Sequence, residues 1–132
     1  MRYMLLIYND EERWKQMSAQ EKGAIFQEAV EFREDLRKSG VYRAGDPLHP
    51  TSTATTVRMK NGRTVMTDGP FAETKEQVGG ILVLEARALN HAIQLMSKHP
   101  GVQAGPFEIR PAEDLTAMIR DSERRRSKTT DE

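Results

Sequence analysis

The chain has 132 residues, with twenty basic and twenty acidic side chains and no cysteine. That length predicts one domain with a sizeable core. The lack of cysteine excludes disulfides and thiolate sites, and the balanced charge argues against direct binding to nucleic acid or to an anionic membrane surface. The first apolar run, Met4 to Tyr8, is too short for a signal peptide or a membrane span, so we expect a cytoplasmic protein.

The first predicted strand covers residues 2–8, with the sequence RYMLLIY. Asn9 and Asp10 follow it directly, and both residue types are suited to cap a helix by accepting hydrogen bonds from its free backbone amides. We therefore predict a short helical turn after this strand, and Trp14 lies on it.

A long helix is predicted from Ser18 to about Ser39. Ser18 and Glu21 have the spacing of a capping box, and apolar residues recur at helical spacing along the segment. Gly40 is the expected stop, because glycine adopts the left-handed C-terminal conformation at little cost. A second strand is predicted at residues 41–44.

The second half of the chain predicts a hairpin, a buried strand, a helix and a last strand. These are the hairpin with a type I′ turn at Asn61-Gly62, the strand ILVLEA after Gly79 and Gly80, the helix at residues 88–98 and the strand at 107–111. The order predicts a ferredoxin-like α+β fold, a β-α-β-β-α-β sheet with both helices on one face. We assign residues 1–111 to this domain and 112–132 to a C-terminal helix and charged tail.

The first strand and the strand ILVLEA are continuously apolar, which is typical of strands buried on both faces. Two helices cover only one face of the predicted sheet, so the other face would expose an apolar patch. A two-fold homodimer through this sheet face would cover the patch and leave a cleft suited to a small-molecule ligand. The alternative is that the Trp14 segment or the C-terminal helix folds over the patch.

The segment TDGPFAETKEQ has two interpretations. Asp68, Gly69 and Pro70 are residue types that dominate turns for backbone reasons alone. The same residues would also suit the wall of a cleft, with Asp68 exposed and the ring of Phe71 stacked on a ligand.

Lys75 lies between Glu73 and Glu76, and Thr74 belongs to the same short segment. A lysine with carboxylate neighbours keeps its charge, so Lys75 suits an anion clamp better than a general base. We include Thr74, Lys75 and Glu76 among the candidate ligand-binding residues. The alternative is a solvated cluster of surface charges.

His99 is predicted in the last turn of the helix at 88–98, where the helix dipole favours a histidine. The functional alternative is a general acid or base, with Lys75 or Arg110 holding an anion. If His99 is catalytic, we expect a carboxylate, from Asp68 or Glu76, within hydrogen-bond reach.

Several classes of site have no support in the sequence. The three histidines lack metal-ligand spacing, so we predict no metal, and we expect His49 and His91 to face solvent. Phosphate-binding, dinucleotide-binding and serine hydrolase motifs are missing, so we predict no cofactor. The methionines at positions 4, 59, 66 and 96 are predicted to fill the core.

Three segments together resemble the DGPF-domain branch of the YCII-related family. They are YMLLIYNDEERW from residue 3, DGPFAETKEQVGGILVLEA from residue 68 and EIRP from residue 108. The resemblance implies a ferredoxin-like fold assembled as a dimeric α+β barrel. It implies little about activity, although some members are encoded beside, or fused to, extracytoplasmic-function sigma factors.

In the wider family a histidine of the first helix and an aspartate before a proline are thought to act as a pair. Those positions fall near Ala29 and on His99 here, so the pair is not carried over. Three hypotheses follow: a regulatory small-molecule-binding homodimer with its pocket at residues 68–77 and His99; a lyase or isomerase that uses His99; and an accessory protein of a sigma factor.

Overall fold

The structure is a computed structural model that describes residues 1–131. Within these residues the strands are β1 (Arg2–Asn9), β2 (Tyr42–Pro47), β3 (Thr55–Lys60), β4 (Arg63–Asp68), β5 (Gln77–Glu85) and β6 (Phe107–Pro111). The α-helices are α1 (Glu11–Gln16), α2 (Ala19–Lys38), α3 (Leu89–Met96) and α4 (Thr116–Asp131).

Four strands form one sheet in the order β2-β5-β1-β6, and all neighbours are antiparallel. β1 is central, so that Leu5 lies opposite Leu82 on one side and Ile109 on the other. The connection through α2 joins β1 to β2, which lies beyond β5 in the sheet. The connection through α3 joins β5 to β6, which lies beyond β1. This is the ferredoxin-like α+β arrangement that the element order predicts.

The core lies between one face of this sheet and the helices α2 and α3. Leu5 and Leu84 are fully buried, and Leu36 of α2 and Met96 of α3 belong to the same cluster. Successive side chains of a strand point to opposite faces. The two helices therefore cover the face that carries Leu5 and Leu84.

The other face, called the open sheet face here, has no such cover. Met4 of β1 is 43% exposed and Ile81 of β5 is 37% exposed. No described part of the chain covers these two side chains fully. Their exposure therefore does not support the alternative in which the Trp14 segment or the C-terminal helix folds over this face.

The predicted start of α1 and the two ends of α2 are confirmed, although among the described residues only the Ser18 half of the predicted capping box forms. The Asp10 carboxylate accepts hydrogen bonds from the amides of Glu12 and Arg13 at 3.1 and 3.3 Å and so caps α1. The Ser18 hydroxyl accepts from the amide of Glu21 at 3.1 Å. Gly40 has a φ of 78°, as its role in ending α2 requires.

β3 and β4 form a separate two-stranded sheet, called the arm here. Its turn contains Asn61 with a φ of 52° and Gly62 with a φ of 74°, which agrees with the predicted type I′ geometry. At its base the amide of Gly69 donates to the carbonyl of Ala54 at 2.8 Å, and the hydroxyl of Thr56 donates to the carbonyl of Gly69 at 2.8 Å.

Two expectations about individual residues are wrong. β5 begins at Gln77, so Gly79 and Gly80 lie within the strand and not before it. At position 79 a Cβ would lie 2.5 Å from the side-chain nitrogen of Asn9, so glycine leaves room for that side chain. Met96 is buried as predicted, but Met59 and Met66 lie on the arm and are largely exposed. Met4, also predicted to be in the core, lies on the open sheet face.

Candidate functional site

The end of β1 leads directly into α1, and this junction borders two depressions in the surface. Because Asp10 caps α1, the helix begins at a defined angle and carries Arg13 and Trp14 towards α2. Asp10 lines both depressions, one on each side of the junction.

The first depression, called the Trp14 cavity here, lies between α1, α2 and the short turn that follows α3. Its volume is about 150 Å³. Its lining combines apolar and polar side chains, namely Asn9, Asp10, Arg13, Trp14, Met17, Ile25, Glu28, Pro100 and Ala104. A cavity of this volume holds a molecule of about the size of benzene.

Two oppositely charged side chains of the Trp14 cavity have no partner among the described residues. Neither the Arg13 guanidinium nor the Glu28 carboxylate forms a hydrogen bond or ion pair with another described residue. The Oδ1 atom of Asn9 is buried and likewise accepts no hydrogen bond from the described chain. Arg13 can donate and Glu28 can accept, so the cavity offers complementary polar groups beside an aromatic ring.

The second depression, called the loop depression here, lies between the start of α1 and the segment after β4. It has a volume of about 430 Å³ and is lined by Asp10, Glu11, Glu12, Thr51, Pro70, Glu73, Thr74, Lys75 and Gln77. Both Glu11 carboxylate oxygens are engaged by Thr51, whose amide and hydroxyl donate at 2.8 and 2.7 Å. This pair fixes the loop after β2 against α1.

The DGPF segment forms a turn held by its own hydrogen bonds. Gly69 has a φ of 114°, a conformation that favours glycine. Thr74 donates to the carbonyl of Glu76 at 2.6 Å, and Gln77 donates to the carbonyls of Ala72 and Thr74 at 2.9 and 3.1 Å. These bonds agree with the turn interpretation of the segment.

The candidate residues of this segment separate in space. Thr74 and Lys75 line the loop depression, whereas Asp68 and Glu76 are exposed outside it. Phe71 is 78% exposed, and the Arg58 guanidinium lies 5.1 Å from the centre of its ring.

His99 does not end a helix, so that expectation is wrong. α3 ends at Met96, and His99 caps a short 3-10 turn, Pro100–Gln103, by accepting a hydrogen bond from the amide of Gly101 at 2.9 Å through Nδ1. Its ring stands edge-on between Phe32 and Phe107, with centre distances of 5.0 and 5.1 Å.

His99 lines a third, shallow groove of about 540 Å³ between α2 and the end of α3, which we call the His99 groove. Glu28, Glu31, Asp35 and Lys98 line the same groove, but no carboxylate of the described chain hydrogen-bonds to His99. Burial between two aromatic rings lowers the pKa of His99 below its ordinary value of 6.5, because the charged form is desolvated.

This shift predicts the pH dependence of stability. Below pH 6.5 the unfolded chain binds a proton at His99 more readily than the folded chain does, so the contribution of His99 to stability falls as the pH falls. Urea unfolding from pH 8 to pH 5, followed by circular dichroism, measures the effect. The His99→Asn variant keeps a capping acceptor and lacks the titration, so its stability is expected to fall less over the same interval. Parallel pH profiles of the two proteins would contradict the prediction.

Arg110 lies on the opposite side of the sheet from His99. It alternates along β6 with Ile109, which packs on the core, so Arg110 points to the open sheet face. There it pairs with Glu108, with Nε 3.1 Å from Oε2. The structure therefore brings Thr74 and Lys75 together and places His99 and Arg110 elsewhere.

The residues of the Trp14 cavity were not predicted from the sequence. Trp14 is the single tryptophan and stands next to Arg13 on a capped turn, which was a usable signal. The participation of Glu28 and Pro100 had no local signal, because they reach the cavity only through the packing of α2 against the turn after α3.

Comparison with known proteins identifies the family. Residues 1–116 match the YCII-related domain, so the chain belongs to the YCII-related family. An uncharacterised protein of Rhizobium meliloti is 32% identical over 115 residues, which cover 84% of this chain and 91% of that protein.

A solved structure shares the fold. It is 5-chloro-2-hydroxyhydroquinone dehydrochlorinase (TftG) of Burkholderia phenoliruptrix in complex with 2,5-dihydroxybenzoquinone. The likeness has a TM-score of 0.50 and 14% identity, and covers 86% of this chain and 94% of that one.

Two further features concern the described residues alone. None of their helices has the length and apolar character needed to cross a membrane. They also contain no group of three or more metal-ligating side chains.

Proposed function

We propose that this chain is a small-molecule-binding member of the YCII-related family and that its ligand occupies the Trp14 cavity. The observation that carries the proposal is the pair of unpartnered charges, Arg13 and Glu28, beside an aromatic ring. Such convergent polar groups in a partly apolar pocket are typical of ligand sites.

The chemistry of the cavity favours a small ring that carries hydroxyl or carbonyl oxygens. Trp14 supplies an aromatic ring, with Lys22 Nζ 5.7 Å from its centre, Arg13 donates to an oxygen, and Glu28 accepts from a hydroxyl. The complex of TftG with 2,5-dihydroxybenzoquinone supports this class, because that ligand is an oxygenated six-membered ring bound by a protein of similar fold.

The test uses calorimetric titration of the purified chain with 2,5-dihydroxybenzoquinone and related hydroquinones. Tryptophan fluorescence is a second readout, because Trp14 is the single tryptophan. We expect saturable binding that the Arg13→Gln and Glu28→Gln variants weaken about tenfold or more, since a hydrogen bond to a charged group contributes roughly 1.5–3 kcal/mol.

Lys15→Gln is the matched control. Lys15 also lies on α1, but it pairs with Glu12 at 3.2 Å and does not line the cavity, so binding is expected to stay unchanged. An absence of saturable binding across the series, or equal binding by the Arg13→Gln variant, would overturn the proposal.

Two candidate residues of the DGPF segment, Thr74 and Lys75, are included in the proposal as a second wall of the ligand site. Lys75 and Thr74 face the loop depression, which shares Asp10 with the Trp14 cavity. The segment TDGPFAETKEQ also supports assignment to the DGPF branch. The roles of Asp68, Phe71, Glu76 and Arg110 stay predictions, because these residues line neither depression.

Acid–base catalysis at His99 has less support than binding. Its Nδ1 is engaged by Gly101, and the expected carboxylate partner is not within hydrogen-bond reach. A regulatory role and a sigma factor partner rest on the family resemblance alone.

We also propose that two copies pair through the open sheet face. The exposure of Met4 and Ile81 supports this, because β1 and β5 are apolar on both faces and a second copy would remove them from water.

A further inference from the structure

The arm carries an apolar face that its own chain leaves in water. Val57, Met59 and Met66 are 60%, 72% and 72% exposed. They lie on the same face, because Val57 is directly opposite Met66 and Met59 follows Val57 by two residues. Three large apolar side chains on one small face form a contiguous patch, not scattered surface residues.

The opposite face of the arm has the reverse character. Arg58, Lys60 and Arg63 alternate with the apolar residues and point the other way, together with Val65, which lies opposite Arg58 and is 39% exposed. The Arg58 guanidinium donates to the carbonyl of Phe71 at 3.3 Å. The arm therefore has one mainly basic face and one mainly apolar face.

A two-stranded hairpin alone is only marginally stable in water. The arm pairs with no third strand of the described chain, and the hydrogen bonds at Gly69 and Thr56 hold only its base. Burial of the apolar face against another surface would supply the missing stabilisation.

We propose that the apolar face of the arm packs on the open sheet face of a second copy of this chain. That face exposes side chains of the same character, Met4 and Ile81. The loop that leads from β2 to the arm leaves the sheet at the edge of β5, since the amide of Leu48 donates to the carbonyl of Gly79 at 2.9 Å, two residues before Ile81. One continuous surface is then buried on each copy.

The size of the interface favours a second copy as the occupant. Stable interfaces use roughly 20–30 residues on each partner. Only about half the residues of the four strands point to the open sheet face, so this face alone is smaller than such an interface. In a two-fold pair every arm contact occurs twice, which enlarges the interface. The equal numbers of acidic and basic residues mean that two copies carry no net charge to repel each other.

The first test is oligomeric state, measured by sedimentation and light scattering at micromolar concentration. The native chain is expected to be a dimer of the 15.0 kDa protomer. The combined variant Val57→Ser, Met59→Ser, Met66→Ser is expected to dimerise roughly a hundredfold more weakly. These side chains are exposed in the single copy, so circular dichroism should show an unchanged fold.

The matched control is the combined variant Lys60→Ser, Arg63→Ser on the other face of the arm, which is expected to remain dimeric. A native monomer would overturn both this inference and pairing through the open sheet face. A triple-serine dimer of native affinity would overturn the role of the arm alone. Neither result bears on ligand binding in the Trp14 cavity.

The second test locates the contact directly. The chain has no cysteine, so a Met59→Cys copy can be mixed with an Ile81→Cys copy and treated with a short bis-maleimide. We expect a covalent heterodimer, and much less of it when Lys60→Cys replaces Met59→Cys. Equal yields from the two mixtures would show that the apolar face of the arm does not contact the partner's sheet.

Discussion

The Gly105→Ala substitution is expected to destabilise the fold by about 3 kcal/mol. A Cβ at this position would overlap the carbonyl oxygen of Tyr8 and lie 3.0 Å from its carbonyl carbon. These atoms belong to the backbone of β1, the central strand, which cannot move without disturbing its pairing with β5 and β6. The amide of Tyr8 also donates to the carbonyl of Pro106 at 3.0 Å, so the clash falls where two segments are already joined.

Urea unfolding followed by circular dichroism measures this loss. Gly23→Ala is the matched control, because Gly23 lies inside α2 and a Cβ there meets nothing within 4 Å. That variant is expected to gain about 1 kcal/mol from the higher helix propensity of alanine. A Gly105→Ala protein as stable as the native one would show that residue 105 does not approach β1 this closely.

The Leu84→Ala substitution is expected to lower the free energy of unfolding by about 3 kcal/mol, as is typical of buried leucines. Leu84 is fully buried on the helix-covered face of the sheet, opposite Tyr3 of β1. Removing its side chain leaves a cavity that the strands on either side cannot close, because their own pairing holds them in place.

The same unfolding experiment tests this change against Leu48→Ala. Leu48 is about half exposed and lies in the loop after β2, so the loss there is expected to be below about 1 kcal/mol. Equal losses at the two positions would mean that the core does not lie where α2 and α3 meet the sheet.

Local signals account for much of what was predicted correctly. Asp10, Ser18 and Gly40 act within a few residues of themselves, so their roles as helix ends follow from residue type and spacing. The turn at Asn61-Gly62 is similar, because positive φ values at both positions are a property of those two residues.

The wrong expectations concern features set by distant partners. Gly79 and Gly80 were expected to precede the strand, but the ladder with β1 extends through them to Gln77. Strand formation depends on pairing and packing more than on intrinsic propensity. In the same way, the residue type of Met59 predicted a place in the core, while its position on a projecting arm depends on the topology.

The candidate site shows this difference most clearly. The DGPF segment was conspicuous in sequence, and it proved to be a turn whose Thr74 and Lys75 border a depression. The Trp14 cavity joins the beginning of the chain to the turn after α3. No local pattern could predict which side chains of α2 would meet that turn.

The central position of β1 also has a consequence for biosynthesis. Both of its partners, β5 and β6, lie far later in the chain, so an apolar strand is made long before anything is present to pair with it. Such non-local pairing slows folding and leaves the nascent segment open to aggregation. Translation must therefore pass β5 before β1 has a partner, and β6 before the sheet can close.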